Sequence, residues 1–239
     1  MQFPAPSAWR GLLLFALYNP ARLHGERNGV PSKAASGKNS DFGLTPAELR
    51  AFRALKTPEK IQRFLDDLPY HHADTAWSPR KVLRERTGHC LEGALLAAAA
   101  LRVNGYPPLL FDLEAVRDDD HVLAIYQYKK HFGSIAKSNY SGLRFRAPVY
   151  RNLRELALSY FEDYFNLRGE RSLRGYSRMV NLSRFDKQEW MTSEKSVWCV
   201  PEYLLTCRHY ELVPPPLTNN LPRLDRRSFE AGLHGRQAH

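Results

Sequence analysis

The chain predicts a mixed α+β domain in which one central helix packs on a small antiparallel sheet. Three observations carry that prediction. Residues 90–101 read Cys-Leu-Glu-Gly-Ala-Leu-Leu-Ala-Ala-Ala-Ala-Leu, apolar on nearly every side, which places a helix in a core. Asn104-Gly105 and Pro107-Pro108 then end it. Beyond lie three short runs rich in apolar, β-branched and aromatic residues, at 109–113, 121–128 and 132–138. They are separated by the acidic turn Asp118-Asp-Asp120 and by Lys129-Lys130, a spacing that suits antiparallel strands.

The 239 residues can hold one sizeable domain with extensions, and a hydrophobic content of 43% supplies an ordinary core. The net charge of +10 favours acidic partners, but it speaks to association and not to fold. Three cysteines, Cys90, Cys199 and Cys207, are few and odd in number. That fits a reducing, cytoplasmic setting better than a disulfide framework. No C-x-x-C pair occurs and the histidines lack zinc-site spacing, so neither a metal nor another cofactor is expected.

In chain order, residues 1–40 are basic, nearly free of acids, and carry one apolar run at 11–18 that is too short to span a bilayer. They read as a disordered or loosely docked extension. A secretory signal and an organellar transit peptide are the alternatives. The folded domain is placed at 41–213. Thr45-Pro-Ala-Glu48 has capping-box spacing and opens a helix to Leu55. Thr57-Pro-Glu-Lys opens a second, with Ile61, Phe64, Leu65 and Leu68 on one face and Pro69 as its stop. A loop at 70–77 leads to Ser78-Pro79 and a short helix at 80–86. After the three strands, 143–150 alternates like an edge strand. A helix then runs from Tyr150 or Asn152 through Tyr164, and 172–177 reads as a turn or strand. A helix-like piece follows 190–194, and 197–200 is a short apolar segment. Residues 214–239 read as a flexible basic tail.

Cys90 falls at the start of the core helix, where unpaired N–H groups and the positive end of the dipole favour a thiolate. A buried structural thiol is the bland alternative. His121 opens the second strand. A tight hairpin at Lys129-Lys130 sets Ser138 opposite His121, with Asn139 next along. Trp77 and His89 either line a cleft beside Cys90 or anchor the core, the latter preferred for Trp77.

Gly88-His-Cys90-Leu-Glu-Gly93, Asp119-Asp-His121-Val-Leu-Ala124 and Lys137-Ser-Asn139 occur in an order that resembles the transglutaminase-like superfamily, within the papain-like cysteine enzymes. The likeness spans about Leu44 to Trp198 and is closest to short, stand-alone members of unassigned function. It implies a nucleophile at Cys90, a general base at His121 and an orienting residue at Asn139. At the spacing the family uses for its orienting acid, this chain has Ala136. Asn139 is therefore the expected third member, as in Cys-His-Asn sites, with Ser138 as a weaker acceptor and Asp120 as an outside candidate.

The resemblance implies an acyl-thioester at Cys90, formed from an amide or peptide and resolved by water or an amine. Hydrolysis is preferred because no amine site is legible. The rival is an inactive transglutaminase-like scaffold that binds a peptide or protein. Expected partners are a peptide, a protein or a small amide substrate, with no membrane span. The Arg-rich stretch from Arg144 to Arg174 invites a nucleic-acid reading, but no groove-reading module accompanies it, so solvated ion pairs are expected and no specific nucleic acid. No oligomeric state is legible.

Overall fold

The computed structural model describes residues 41–237, so the extension expected over 1–40 lies outside the described residues. α1 (Pro46–Ala54) and α2 (Pro58–Asp66) start at their sequence signals. Thr45 Oγ1 accepts from Glu48 N, and the Glu48 carboxylate accepts from Thr45 N. Thr57 caps α2 through Lys60 N. Ser78 caps α3 (Pro79–Glu85), which ends at Arg86 in the left-handed region. α4 (Cys90–Val103) follows, and its residues from Leu91 to Leu101 are all buried.

The strands are β1 (Leu109–Ala115), β2 (His121–Tyr128), β3 (His131–Ile135), β4 (Arg146–Tyr150), β5 (Leu173–Ser177), β6 (Val180–Asn181) and β7 (His209–Glu211). They form one sheet in the order β4-β3-β2-β1-β5-β7, with β6 also on β1, and every pairing is antiparallel. Strand alternation sorts the side chains into two cores. Leu110, Val122, Ala124 and Tyr126 pack with α1 to α4 and with α6 (Cys199–Thr206). Phe111, Leu113, Leu123 and Ile125 pack with Leu156 and Ala157 of α5 (Leu153–Leu158) and with Tyr160 and Tyr164. Because β2 is covered on both faces, it reads as a continuous apolar run.

The Lys129-Lys130 hairpin forms as expected, with φ of 45° and 67° and Tyr128 paired to His131. Three expectations need correction. The third strand ends at Ile135, not Ser138, because Gln62 takes both the N–H and the carbonyl of Ala136. The helix from Asn152 ends at Leu158, not Tyr164. There the Arg146 guanidinium binds the carbonyl and hydroxyl of Ser159 at 3.0 and 3.1 Å, diverting the next turn. Residues 214–239 are not a loose tail over the part described. α7 (Pro215–Thr218) and α8 (Arg226–Gly232) form, Phe229 packs on Phe165 at 5.4 Å between ring centroids, and Ser141 N and Oγ donate to Gly232 O and Ala231 O. Among the described residues no helix is long and apolar enough to cross a membrane.

Candidate functional site

Cys90 is the first residue of α4. Two residues on is Glu92, a fully buried carboxylate in a helix that is apolar from Gly93 to Leu101. Its oxygens accept from His89 N at 3.2 Å, Trp77 N at 3.0 Å and Thr75 Oγ1 at 2.6 Å, and meet His71 Nδ1 at 3.1 Å. One side chain thus closes the helix start and ties down the 71–77 loop. His89 Nε2 lies 2.8 Å from Thr75 O. Burial keeps the His89 imidazole below its ordinary pKa, against the pull of Glu92. Trp77 packs against the core beside α4, as preferred from the sequence, while His89 lines the cavity beside Cys90.

β2 starts at His121, which is 4% exposed. Its ring meets Tyr164 edge-on at 6.4 Å, and its Nε2 lies 2.7 Å from the Leu143 carbonyl. The Cys90 thiol faces the main chain on either side of His121. Sγ sits 4.0 Å from Asp120 O and is also bonded by the Val122 N–H. Among the described residues the thiol and the His121 ring share no hydrogen bond. Asp120 contributes its carbonyl here, while its carboxylate accepts from Ala115 N at 2.8 Å.

The 136–139 segment continues past β3 beside α4. Lys137 Nζ is buried and donates to the carbonyls of Leu65 and Leu68, closing the C-terminal end of α2. A Cβ at Gly93 would collide with Lys137 Cβ, so glycine is what lets α4 approach this segment. Ser138 and Asn139 reach the same cavity as Cys90 and His121. Asn139 does not orient His121. Its amide holds the main chain of Gln237, with Nδ2 donating to Gln237 O at 2.9 Å and Oδ1 accepting from Gln237 N at 2.8 Å. The position expected of Asn139 is filled by the Leu143 carbonyl. Ser138 Oγ accepts from Tyr140 N.

The electrostatics also depart from expectation. Burial pushes the Cys90 thiol up to about 12, with the Val122 N–H working the other way. Burial pushes His121 down to about 4. Desolvation thus outweighs the helix terminus, and both groups rest neutral at neutral pH. Burial raises Asp118 to about 6, and its carboxylate accepts from Ser172 Oγ at 2.5 Å. Tyr164 Oη donates to Asp119 O at 2.7 Å.

Cys90 and His121 open onto one cavity of about 330 Å3. Tyr70, Asp112 and Tyr164, which the sequence did not mark for the site, also line it. The Tyr70 hydroxyl lies against Cys90: burial and the thiol raise its pKa, and the Cys90 N–H lowers it. Asp112 is 4% exposed and 3.3 Å from His209 Nε2. Burial raises the Asp112 pKa, and the Asp112 carboxylate in turn holds His209 above its ordinary value despite desolvation. A polar residue inside a buried strand, Leu109-Leu-Phe-Asp-Leu, was the available signal for Asp112. An acid at the head of the apolar run from Gly93 to Leu101 was the signal for Glu92. Among the described residues no group of three His, Cys, Asp or Glu is arranged to hold a metal. Several of the arginines that invited a nucleic-acid reading are in ion pairs, including Arg144 with Asp66, Arg146 with Asp163 and Arg171 with Glu162. No protein-family model matches this chain, and no curated protein does either.

Proposed function

We propose that the protein is a cysteine acyl-transfer enzyme of the transglutaminase-like, papain-like kind, acting on an amide or peptide through a thioester at Cys90. The observation that carries this reading is the shared cavity of Cys90 and His121, with the His121 Nε2–H committed to the Leu143 carbonyl. That tautomer keeps its lone pair on Nδ1, the atom left to take a proton. In the proposed reaction the Cys90 Sγ–H proton passes to His121 Nδ1 as Sγ bonds the carbonyl carbon. The tetrahedral oxyanion is placed toward the helix start, where the Tyr70 hydroxyl, which accepts from the Cys90 N–H, is the donor at hand. His121 returns the proton to the leaving nitrogen as the C–N bond breaks. Water, or an amine, then takes the acyl group from sulfur.

A resting thiol and imidazole that are both neutral make proton transfer part of the attack, so His121 must act in concert with bond formation. The same two observations, with the missing Cys90–His121 hydrogen bond, favour a second reading: a scaffold that binds a peptide without turning it over. Turnover separates the two. A panel of peptide amides and activated esters is assayed with the natural chain, Cys90→Ser and His121→Gln. The enzyme reading expects turnover that Cys90→Ser abolishes and His121→Gln lowers by ~10²-fold or more. Turnover that ignores both changes, or none on any member of the panel, leaves the scaffold.

A further inference from the structure

Asn139 holds a peptide main chain, and it does so on the wall of the Cys90 cavity. Its amide reads both the N–H and the carbonyl of a single residue, Gln237, at 2.8 and 2.9 Å. Such a pair is blind to the side chain of the residue held. The Gln237 side chain is bound separately, its Oε1 accepting from Tyr70 N at 2.7 Å. One residue before it, the Arg236 guanidinium bonds the Tyr140 hydroxyl, whose pKa is raised by burial and by Asp118 and lowered by Arg236. Asn139, Tyr70 and Tyr140 all line the cavity.

Charge points the same way. The cavity wall carries Asp74, Asp112, Asp118, Asp119 and Asp120, and no Lys or Arg is among the described residues that form it. The chain as a whole has ten more Lys and Arg than Asp and Glu. An acidic hollow on a basic protein selects cationic ligands over anionic ones. The residue that the docked segment sets against this wall is basic, the Arg236 guanidinium on the Tyr140 hydroxyl.

We propose that Asn139 and Tyr70 form a subsite for an extended, basic peptide beside Cys90, filled in this structure by residues 236–237 of the chain itself. Asn139 is a ligand-binding residue in this account, not the orienting member of a triad. The subsite goes beyond the catalytic proposal and stands whether or not Cys90 turns its ligand over. A segment of the same chain competes at roughly millimolar effective concentration, so an outside peptide gains access when the cis segment is released.

The test uses the full chain and reads binding, not activity. Gln237→Pro removes the N–H that donates to Asn139 Oδ1. A fluorescent peptide with the sequence of residues 231–239 is titrated into the natural chain, Gln237→Pro, and Gln237→Pro combined with Asn139→Ala or Asn139→Asp. Amide exchange at Tyr70 is followed in parallel. The expected result is faster Tyr70 exchange in Gln237→Pro and peptide binding at least ~10-fold tighter than to the natural chain. Both Asn139 changes abolish that gain, and a peptide with Arg236 replaced by Glu binds less well. Binding that does not improve although Tyr70 exchange rises overturns the subsite. So does binding that is indifferent to Asn139, and so does Tyr70 exchange that Gln237→Pro leaves unchanged.

Discussion

His121 Nε2 and the main-chain oxygen of Leu143 lie 2.7 Å apart, and that contact sets the imidazole's tautomer and direction. Leu143 is itself buried, on the sheet face that α5 covers. A main-chain carbonyl cannot be exchanged by a side-chain substitution, so this orienting contact survives any change at Asn139 or Ser138.

Burial of the neutral His121 ring links folding to acid. Its folded pKa, about 4, is depressed below the ordinary 6.5. The folded state therefore binds this proton later than the unfolded chain. Stability from this source is whole above about pH 6.5 and falls as the pH drops toward 4. Between pH 7.5 and pH 5 it contributes a loss of ~2 kcal/mol. Urea unfolding at the two pH values should show that loss in the natural chain and a smaller one in His121→Gln, which keeps a donor for Leu143. An equal pH effect in both proteins counts against the assignment.

The Cys90 thiol, pushed up to about 12 by burial, should alkylate slowly at neutral pH. The rate with iodoacetamide, read on the Cys90 peptide by mass spectrometry, should climb about tenfold per pH unit through pH 9, as the thiolate fraction does below its pKa. A plateau reached below pH 8.5 would instead reveal a preformed thiolate–imidazolium pair.

Glu92 is fully buried and gathers donors from His89, Thr75 and Trp77. Glu92→Gln turns one acceptor oxygen into an NH2 facing donors. It should cost ~2–4 kcal/mol and speed amide exchange across residues 71–77. Chemical denaturation gives the first number and hydrogen exchange the second. A loss under ~0.5 kcal/mol would show that the cluster does not hold the helix start.

Both lysines of the β2–β3 hairpin sit at positive φ, which non-glycine residues adopt at a cost. Lys129→Asn with Lys130→Gly supplies the residues this turn prefers and should stabilise the fold by ~1 kcal/mol, seen as a raised Tm with unchanged Cys90 alkylation. A lowered Tm would mean that the lysine side chains contribute more than their backbone strain costs.

The sequence marked what periodicity and capping encode. Thr45, Thr57 and Ser78 cap the helices they announce, the all-apolar run of α4 is the core helix, and Lys129-Lys130 turns β2 into β3. It also placed Cys90 and His121, which share a cavity. It missed what depends on long-range packing. Continued past Ile135, the hairpin register would set Ser138 opposite His121, but Gln62 on α2 captures Ala136 and ends the pairing first. The partner of His121 proved to be a carbonyl in the 136–145 loop, which no side-chain pattern announces. The thiol's pKa followed burial, a property of the whole fold, and not the helix start that the local sequence displays. The segment taken for a tail docks through Phe229 and Gln237, single residues in a stretch of otherwise polar composition.

The most direct measurement is the mass of the intact chain seconds after exposure to an activated peptide ester. The account predicts one acyl group, mapped to Cys90, absent in Cys90→Ser and formed at least ~100-fold more slowly in His121→Gln. A chain that acquires no acyl group at Cys90, or acquires it at the same rate without His121, would contradict it.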